Sequence, residues 1–192
     1  MLTLTAEITG DFPGDIVLQS NDPDTTRFAF AVDGKVTSTR IIDDSDAAGF
    51  TLSGTSTAYS HGFNDQERIT SLSATGAATA RATWTFTDLI PGDYRVSATW
   101  EIAGGSASQT APFAVYDGAP TAGLPLASVT LDQQQNPDDF SDKGAFWEDL
   151  QSEPLTISGN TLTVVLTNAT DRPVIVDAIR VERLLPNAAL SN

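Results

Sequence analysis

Arg81-Ala82-Thr83-Trp84-Thr85-Phe86-Thr87, a Pro91-Gly92 turn and Asp93-Tyr94-Arg95-Val96-Ser97-Ala98-Thr99-Trp100-Glu101-Ile102 together decide the fold. In the first run Ala82, Trp84 and Phe86 point one way, while Arg81, Thr83, Thr85 and Thr87 point the other. In the second, Tyr94, Val96, Ala98, Trp100 and Ile102 share one face, and Arg95, Ser97, Thr99 and Glu101 share the opposite one. Period two with a single apolar face marks a half-buried β-strand, and the two runs are read as a hairpin. The alternation recurs at Ala111 to Tyr116, Ala127 to Leu131, Leu155 to Ile157, Thr161 to Thr167 and Pro173 to Leu184. Gly159-Asn160 reads as a tight hairpin turn between two of these runs. Nothing before Leu184 has helical spacing, so an all-β chain is expected.

Toward the N-terminus, Leu2 to Ile8, Asp15 to Gln19 and Arg27 to Val32 are short strand candidates, separated by Phe12-Pro13-Gly14 and Asn21-Asp22-Pro23-Asp24. Three such strands bury too little apolar surface to fold well alone. A boundary falls at Val36 to Thr39, where the patterning changes. The expected organisation is a partial β segment at 1–38, a β-sandwich at 39–185 and a disordered tail or linker at 186–192. Met1 runs at once into the alternating Leu2 to Ile8, so the start is read as a cut within a longer chain.

Lys and Arg total 10 against 25 Asp and Glu, a formal net charge of −15. Such a surface repels phosphate backbones and anionic lipid, which argues against nucleic acid as a partner. The absence of cysteine removes disulfides, thiolate metal sites and cysteine nucleophiles together. No apolar stretch is long enough to insert in a membrane.

Residues 41–181 carry a family resemblance. Its stretches are Ile41-Ile42-Asp43-Asp44-Ser45-Asp46-Ala47-Ala48-Gly49-Phe50, Ala82-Thr83-Trp84-Thr85-Phe86, Gly92-Asp93-Tyr94-Arg95-Val96 and Ala111-Pro112-Phe113-Ala114-Val115, then Asp132-Gln133-Gln134, Gly144-Ala145-Phe146-Trp147 and Val176-Asp177-Ala178-Ile179-Arg180-Val181. In this order they resemble the golvesin or xanthan-lyase carbohydrate-binding-domain-like family. The resemblance implies a galactose-binding-like jelly roll appended to secreted enzymes and surface proteins, with a polysaccharide-binding or spacer role. Gln19-Ser20-Asn21-Asp22-Pro23-Asp24 followed by Phe28-Ala29-Phe30-Ala31-Val32-Asp33-Gly34 resembles the closing strands of choice-of-anchor D and abnormal-spindle/hydin-like immunoglobulin-like repeats.

Among residues that could carry chemistry, Asp43, Asp44 and Asp46 cluster at the end of Arg40-Ile41-Ile42. Calcium favours several oxygen donors gathered this way; a turn whose carboxylates cap backbone amides is the alternative. Alternation puts Asp177 on the face of Ile175, Ile179 and Val181, so its carboxylate points to an apolar side and needs a partner. Arg68, Arg81 and a calcium shared with the Asp43 to Asp46 turn are the candidates. Trp84 and Trp100 share faces with core residues, whereas Phe146 and Trp147 must point to opposite sides. Trp147, Tyr116 and Tyr59 are therefore expected to be the carbohydrate-stacking aromatics, with Trp147 the main platform.

Catalysis finds no support. The single histidine, His61, stands beside Ser60 in a polar stretch, and no Gly-x-Ser-x-Gly elbow surrounds a serine. Asn168-Ala169-Thr170 fits a glycosylation sequon but is read as a turn. The expected function is a non-catalytic accessory module of a larger secreted or cell-surface protein, binding polysaccharide beside neighbouring domains of the same chain. A structural spacer or adhesion domain without a glycan ligand is the alternative, and a secreted hydrolase a distant one.

Overall fold

The computed structural model describes residues 10–19, 21, 27–36, 39–71, 73, 76–102, 106–120, 123–170 and 172–184, with only the backbone at 10–13 and 32–36. The chain divides into two compact units, the second spanning Thr39–Leu184. In the first, strands β1 (Gly10–Gln19) and β2 (Arg27–Val36) pair antiparallel from Gly10↔Val36 to Gln19↔Arg27. Phe12-Pro13-Gly14, expected to separate strands, lies inside β1. A two-stranded ribbon leaves many strand amides unpaired, so a proline lacking an N–H is tolerated there. Val17, Leu18, Phe28 and Phe30 are exposed, and the two phenylalanine rings lie 6.1 Å apart. The expected strand at Leu2 to Ile8, the Asp22-Pro23-Asp24 turn and the tail at 186–192 lie outside the described residues.

The second unit holds β3 (Thr39–Ile42), β4 (Phe50–Ser53), β5 (Ser56–Tyr59), β6 (Glu67–Thr70), β7 (Arg81–Phe86), β8 (Gly92–Ala98) and β9 (Ala111–Asp117). It continues with β10 (Ala127–Leu131), β11 (Phe140–Asp142), β12 (Ala145–Asp149), β13 (Leu155–Ile157), β14 (Leu162–Thr167), β15 (Ile175–Val176) and β16 (Ile179–Leu184). A 3-10 turn at Phe63–Asp65 is the only helical element among the described residues, and no helix is long and apolar enough to cross a membrane. One sheet runs β10-β9-β14-β7-β4, a second β11-β12-β8-β16-β3 with β13 on β8, and a small third β15-β6-β5. Trp84, Phe86, Phe113, Val115, Leu162 and Val164 from the first sheet meet Ile42, Tyr94, Val96, Ala98, Ile179 and Val181 from the second in one buried cluster. The all-β jelly-roll sandwich is therefore the architecture found.

The pairing differs from the sequence reading. β7 and β8 do not form a hairpin: β7 pairs with β14 and β4, whereas β8 pairs with β16, β12 and β13. Each strand has one apolar face, and those faces meet across the core rather than side by side. Alternation reports which face is buried but not which backbone supplies the ladder. The Gly159-Asn160 turn likewise joins β13 and β14, which lie in different sheets. The run from Pro173 to Leu184 breaks at Asp177-Ala178 into β15 and β16. At this break the Trp84 indole Nε1 donates to the Asp177 carbonyl at 3.1 Å, and the Thr99 amide to the Ala178 carbonyl at 3.1 Å.

Gly54, between β4 and β5, has φ +90, and a Cβ there would lie 2.4 Å from the Thr79 carbonyl oxygen. Both the backbone conformation and the space require glycine. Gly54→Ala should cost more than about 1 kcal/mol in urea unfolding. An unchanged midpoint would refute the close approach.

Candidate functional sites: a buried acidic cluster and an aromatic-rimmed groove

The end of β3 delivers Asp43 and Asp44 into the sandwich, where they are 1% and 2% exposed, and the break between β15 and β16 delivers Asp177, also 2% exposed. One carboxylate oxygen from each lies within 4.8 Å of the others. Asp46 does not join them. It is exposed, and its Oδ2 accepts the Asp43 amide at 2.8 Å, while the Asp46 amide donates to the Asp43 carbonyl at 3.1 Å. The turn-capping alternative thus describes Asp46, while Asp43 and Asp44 turn inward.

Donors are scarce around these carboxylates. Ser45 Oγ donates to Asp43 Oδ2, and the Phe63 amide donates to both oxygens of Asp177 at 3.1 Å. Arg68 Nε lies 2.9 Å from Asp44 Oδ2 and ion-pairs with it. Of the two arginines considered as partners for Asp177, Arg68 sits on Asp44 instead, and Arg81 is exposed on β7. Asp43 Oδ1 and Asp44 Oδ1 are buried without a hydrogen-bond donor, and Asp44 Oδ2 has the Arg68 guanidinium alone. Burial, reinforced by Asp43, pushes the Asp44 carboxyl up to about 6. Burial also pushes Asp177 up to about 9, against the Phe63 amide and with Asp43, Glu67 and Asp44 adding to the rise.

Glu67, 0% exposed, borders the cluster. Its Oε1 is 3.2 Å from His61 Nδ1, and its Oε2 accepts the Glu101 amide at 3.2 Å. His61 is thus held by Glu67 rather than by Ser60, and its ring stacks on Tyr59 at 5.8 Å. Gly62 follows at φ +83, and a Cβ there would lie 2.7 Å from Asp177 Oδ2. Glycine at that position lets the 61–63 segment close over the Asp177 carboxylate.

On the other side of this segment lies an open cavity of about 520 Å³, bordered by Gly62, Phe63, Trp100, Glu101, Asn136, Asp138 and Phe146. A second, of about 550 Å³, shares Trp100, Asn136 and Asp138 with it and adds Glu148. Together they make a groove with an aromatic rim and acidic or amide side chains. Neither lining includes a lysine or arginine. Of the nearby cations, Arg95 grips Asp149 with Nε at 2.8 Å from both carboxylate oxygens and Arg180 Nε bonds Asp142 at 2.8 Å, while Lys143, next to Gly144, is exposed. Exposed Asp138 and Asp139 and half-buried Glu148 form a second acidic group, supplied with the Asp138 and Asp149 amides.

The expected aromatic platform changes. Trp147 is 0% exposed, with its Nε1 donating to the Asp142 carbonyl at 3.0 Å and its ring 5.6 Å from Phe63. It has no free face for a sugar. Phe146 is the exposed member of the pair, at 64%. The two do point to opposite sides, but the indole N–H needs a buried acceptor and finds one, whereas a phenyl ring needs none. Tyr116 is half-buried on β9 and lines a separate cavity beside Arg81. Tyr59 is exposed beside His61. The three expected aromatics are therefore not brought together. Glu101, Asn136 and Asp138 were missed as groove residues: Glu101 stood on the polar face of an alternating run, and the stretch carrying Asn136 and Asp138 lacks periodicity. Asn168 is fully buried, so the sequon is not a surface acceptor.

Residues 40–183 match the family model described as Golvesin C-terminal domain. Among solved structures, a Paenibacillus xanthan lyase aligns with 25% identity and a TM-score of 0.58, covering 77% of this chain and 13% of that one. An exo-beta-1,3-galactanase from Phanerochaete chrysosporium aligns with 14% identity and a TM-score of 0.48, over 78% of this chain and 30% of that one. A carbohydrate-binding module from the β-sandwich superfamily aligns with 15% identity and a TM-score of 0.39, over 96% of this chain and 78% of that one. No curated protein matches by sequence.

Proposed function

Because this chain belongs to the Golvesin C-terminal domain family, we propose that its sandwich is a non-catalytic accessory module that binds neutral polysaccharide in the Phe146 groove. The observation that carries this reading is Phe146 itself, a large apolar ring 64% exposed on the rim of an open cavity with polar side chains around it. Apolar concavities with a few placed polar groups are where small ligands bind. A pyranose ring offers C–H faces to such an aromatic and hydroxyls to Glu101, Asn136 and Asp138. Carboxylates accept hydroxyl hydrogens well. They repel uronates, and the groove lining supplies no cation to offset that. A neutral glycan is accordingly the better fit, and a secreted or cell-surface parent protein is the setting in which one is met. The β1–β2 ribbon, with apolar side chains its own two strands leave open, is in this reading the end of an adjoining immunoglobulin-like repeat.

Affinity gel electrophoresis against neutral and acidic polysaccharides tests the assignment. Neutral polymers should retard the chain, and Phe146→Ala should abolish retardation while changing stability by no more than about 0.5 kcal/mol, as for an exposed side chain. Retention by acidic polymers alone, retention indifferent to Phe146→Ala, or none on any polymer would overturn it, the last favouring a structural spacer.

A further inference from the structure

We infer that Asp43, Asp44 and Asp177 hold a divalent metal ion, with calcium the ion their chemistry fits, inside the sandwich. The site shares the Gly62–Phe63 segment with the glycan groove but none of its carboxylates, and its test needs no glycan. Three carboxylates from two distant parts of the chain converge with oxygens within 4.8 Å of one another, each residue at most 2% exposed. Convergence alone would be a repulsive accident. What marks a ligand is the set of oxygens left without donors: Asp43 Oδ1 and Asp44 Oδ1 are buried with no hydrogen-bond partner, and Asp44 Oδ2 faces only the Arg68 guanidinium at 2.9 Å. Buried polar atoms are nearly always satisfied, because an unmade bond leaves the full desolvation penalty. Both unpartnered acceptors belong to the converging group.

The charge balance points the same way. Glu67 adds a fourth buried carboxylate, and the one guanidinium at hand, Arg68, sits on Asp44. Its single positive charge leaves the group anionic, and a divalent ion offsets two further charges. Donors that are all carboxylate oxygen select a hard cation, and calcium accepts the irregular oxygen shells that folded chains provide. Imidazole or thiolate would be wanted for zinc; the nearby His61 is turned toward Glu67 instead. The other acidic trio, exposed Asp138 and Asp139 with half-buried Glu148, lacks such unsatisfied buried oxygens, so it serves as the internal control.

Two measurements test the site on the full chain. After stripping with EDTA, verified by elemental analysis, calcium should bind with a stoichiometry of one by calorimetry. It should also raise the melting temperature by roughly 5–10 °C at about 100 times the dissociation constant. Asp177→Asn should abolish that response, whereas Asp138→Asn should retain it. The second readout needs no variant. Trp84, whose indole bonds the Asp177 carbonyl, is an adjacent energy donor, so terbium should emit on tryptophan excitation and be displaced by calcium. The absence of terbium emission and of any calcium heat would overturn the site, leaving shared protons to neutralise the carboxylates. A calcium response lost in Asp138→Asn but kept in Asp177→Asn would overturn it too.

Discussion

Trp147→Ala should lower stability by about 3–5 kcal/mol, the usual loss for deleting a fully buried indole. In a domain of this size that corresponds to a fall in melting temperature of roughly 6–20 °C. The loss has three sources. The ring is 0% exposed, its Nε1 satisfies the Asp142 carbonyl, and its face supports Phe63. Phe63 in turn supplies the amide that both oxygens of Asp177 accept, so the cavity would also loosen the 61–63 segment. Thermal melts of Trp147→Ala and Phe146→Ala side by side separate the two neighbours. A Trp147→Ala variant within about 1 kcal/mol of the parent would place the indole at the surface and restore it as a sugar platform.

Asn168→Ala should cost about 2–4 kcal/mol, because it removes four hydrogen bonds made by a fully buried side chain, one of them to the buried Ala80 amide. The Asn168 Oδ1 accepts the Thr79 and Ala80 amides at 2.8 Å each, and its Nδ2 donates to the Ser71 carbonyl at 2.8 Å and to Thr79 Oγ1 at 2.9 Å. One side chain thereby pins the segment leading into β7 to the end of β14. Asn168→Asp should be nearly as costly, since a carboxylate oxygen would face the Ser71 carbonyl. Urea unfolding checks both, and a change below about 1 kcal/mol for either variant would sink the account. The same burial predicts that expression in a glycosylating host adds no glycan at Asn168, read by intact mass.

Which parts of this molecule were legible in the chain follows from the range of the forces involved. Trp84 and Trp100 sit in the core because period-two alternation is a local property, and both are at most 5% exposed as alternation requires. Asp177 was legible as a carboxylate facing an apolar side, and it is buried. Its partners were not, since the Phe63 amide is 114 residues away. β7 and β8 were legible as strands but not as members of opposite sheets, because facing and pairing leave the same trace in alternation. Phe146 and Trp147 show the same limit on a smaller scale. Parity sends them apart, and the Asp142 carbonyl together with the distant Phe63 ring covers Trp147. Asp46 was indistinguishable from Asp43 and Asp44 until the turn was closed.

The first and last strands of the sandwich lie side by side: Thr39 of β3 stands opposite Glu182 of β16, and Ile42 opposite Ile179. In an antiparallel pair of this kind, tension applied through residues 39 and 184 loads the rungs one after another, from the open end inward, rather than all at once in shear. The sandwich would therefore unzip at modest force.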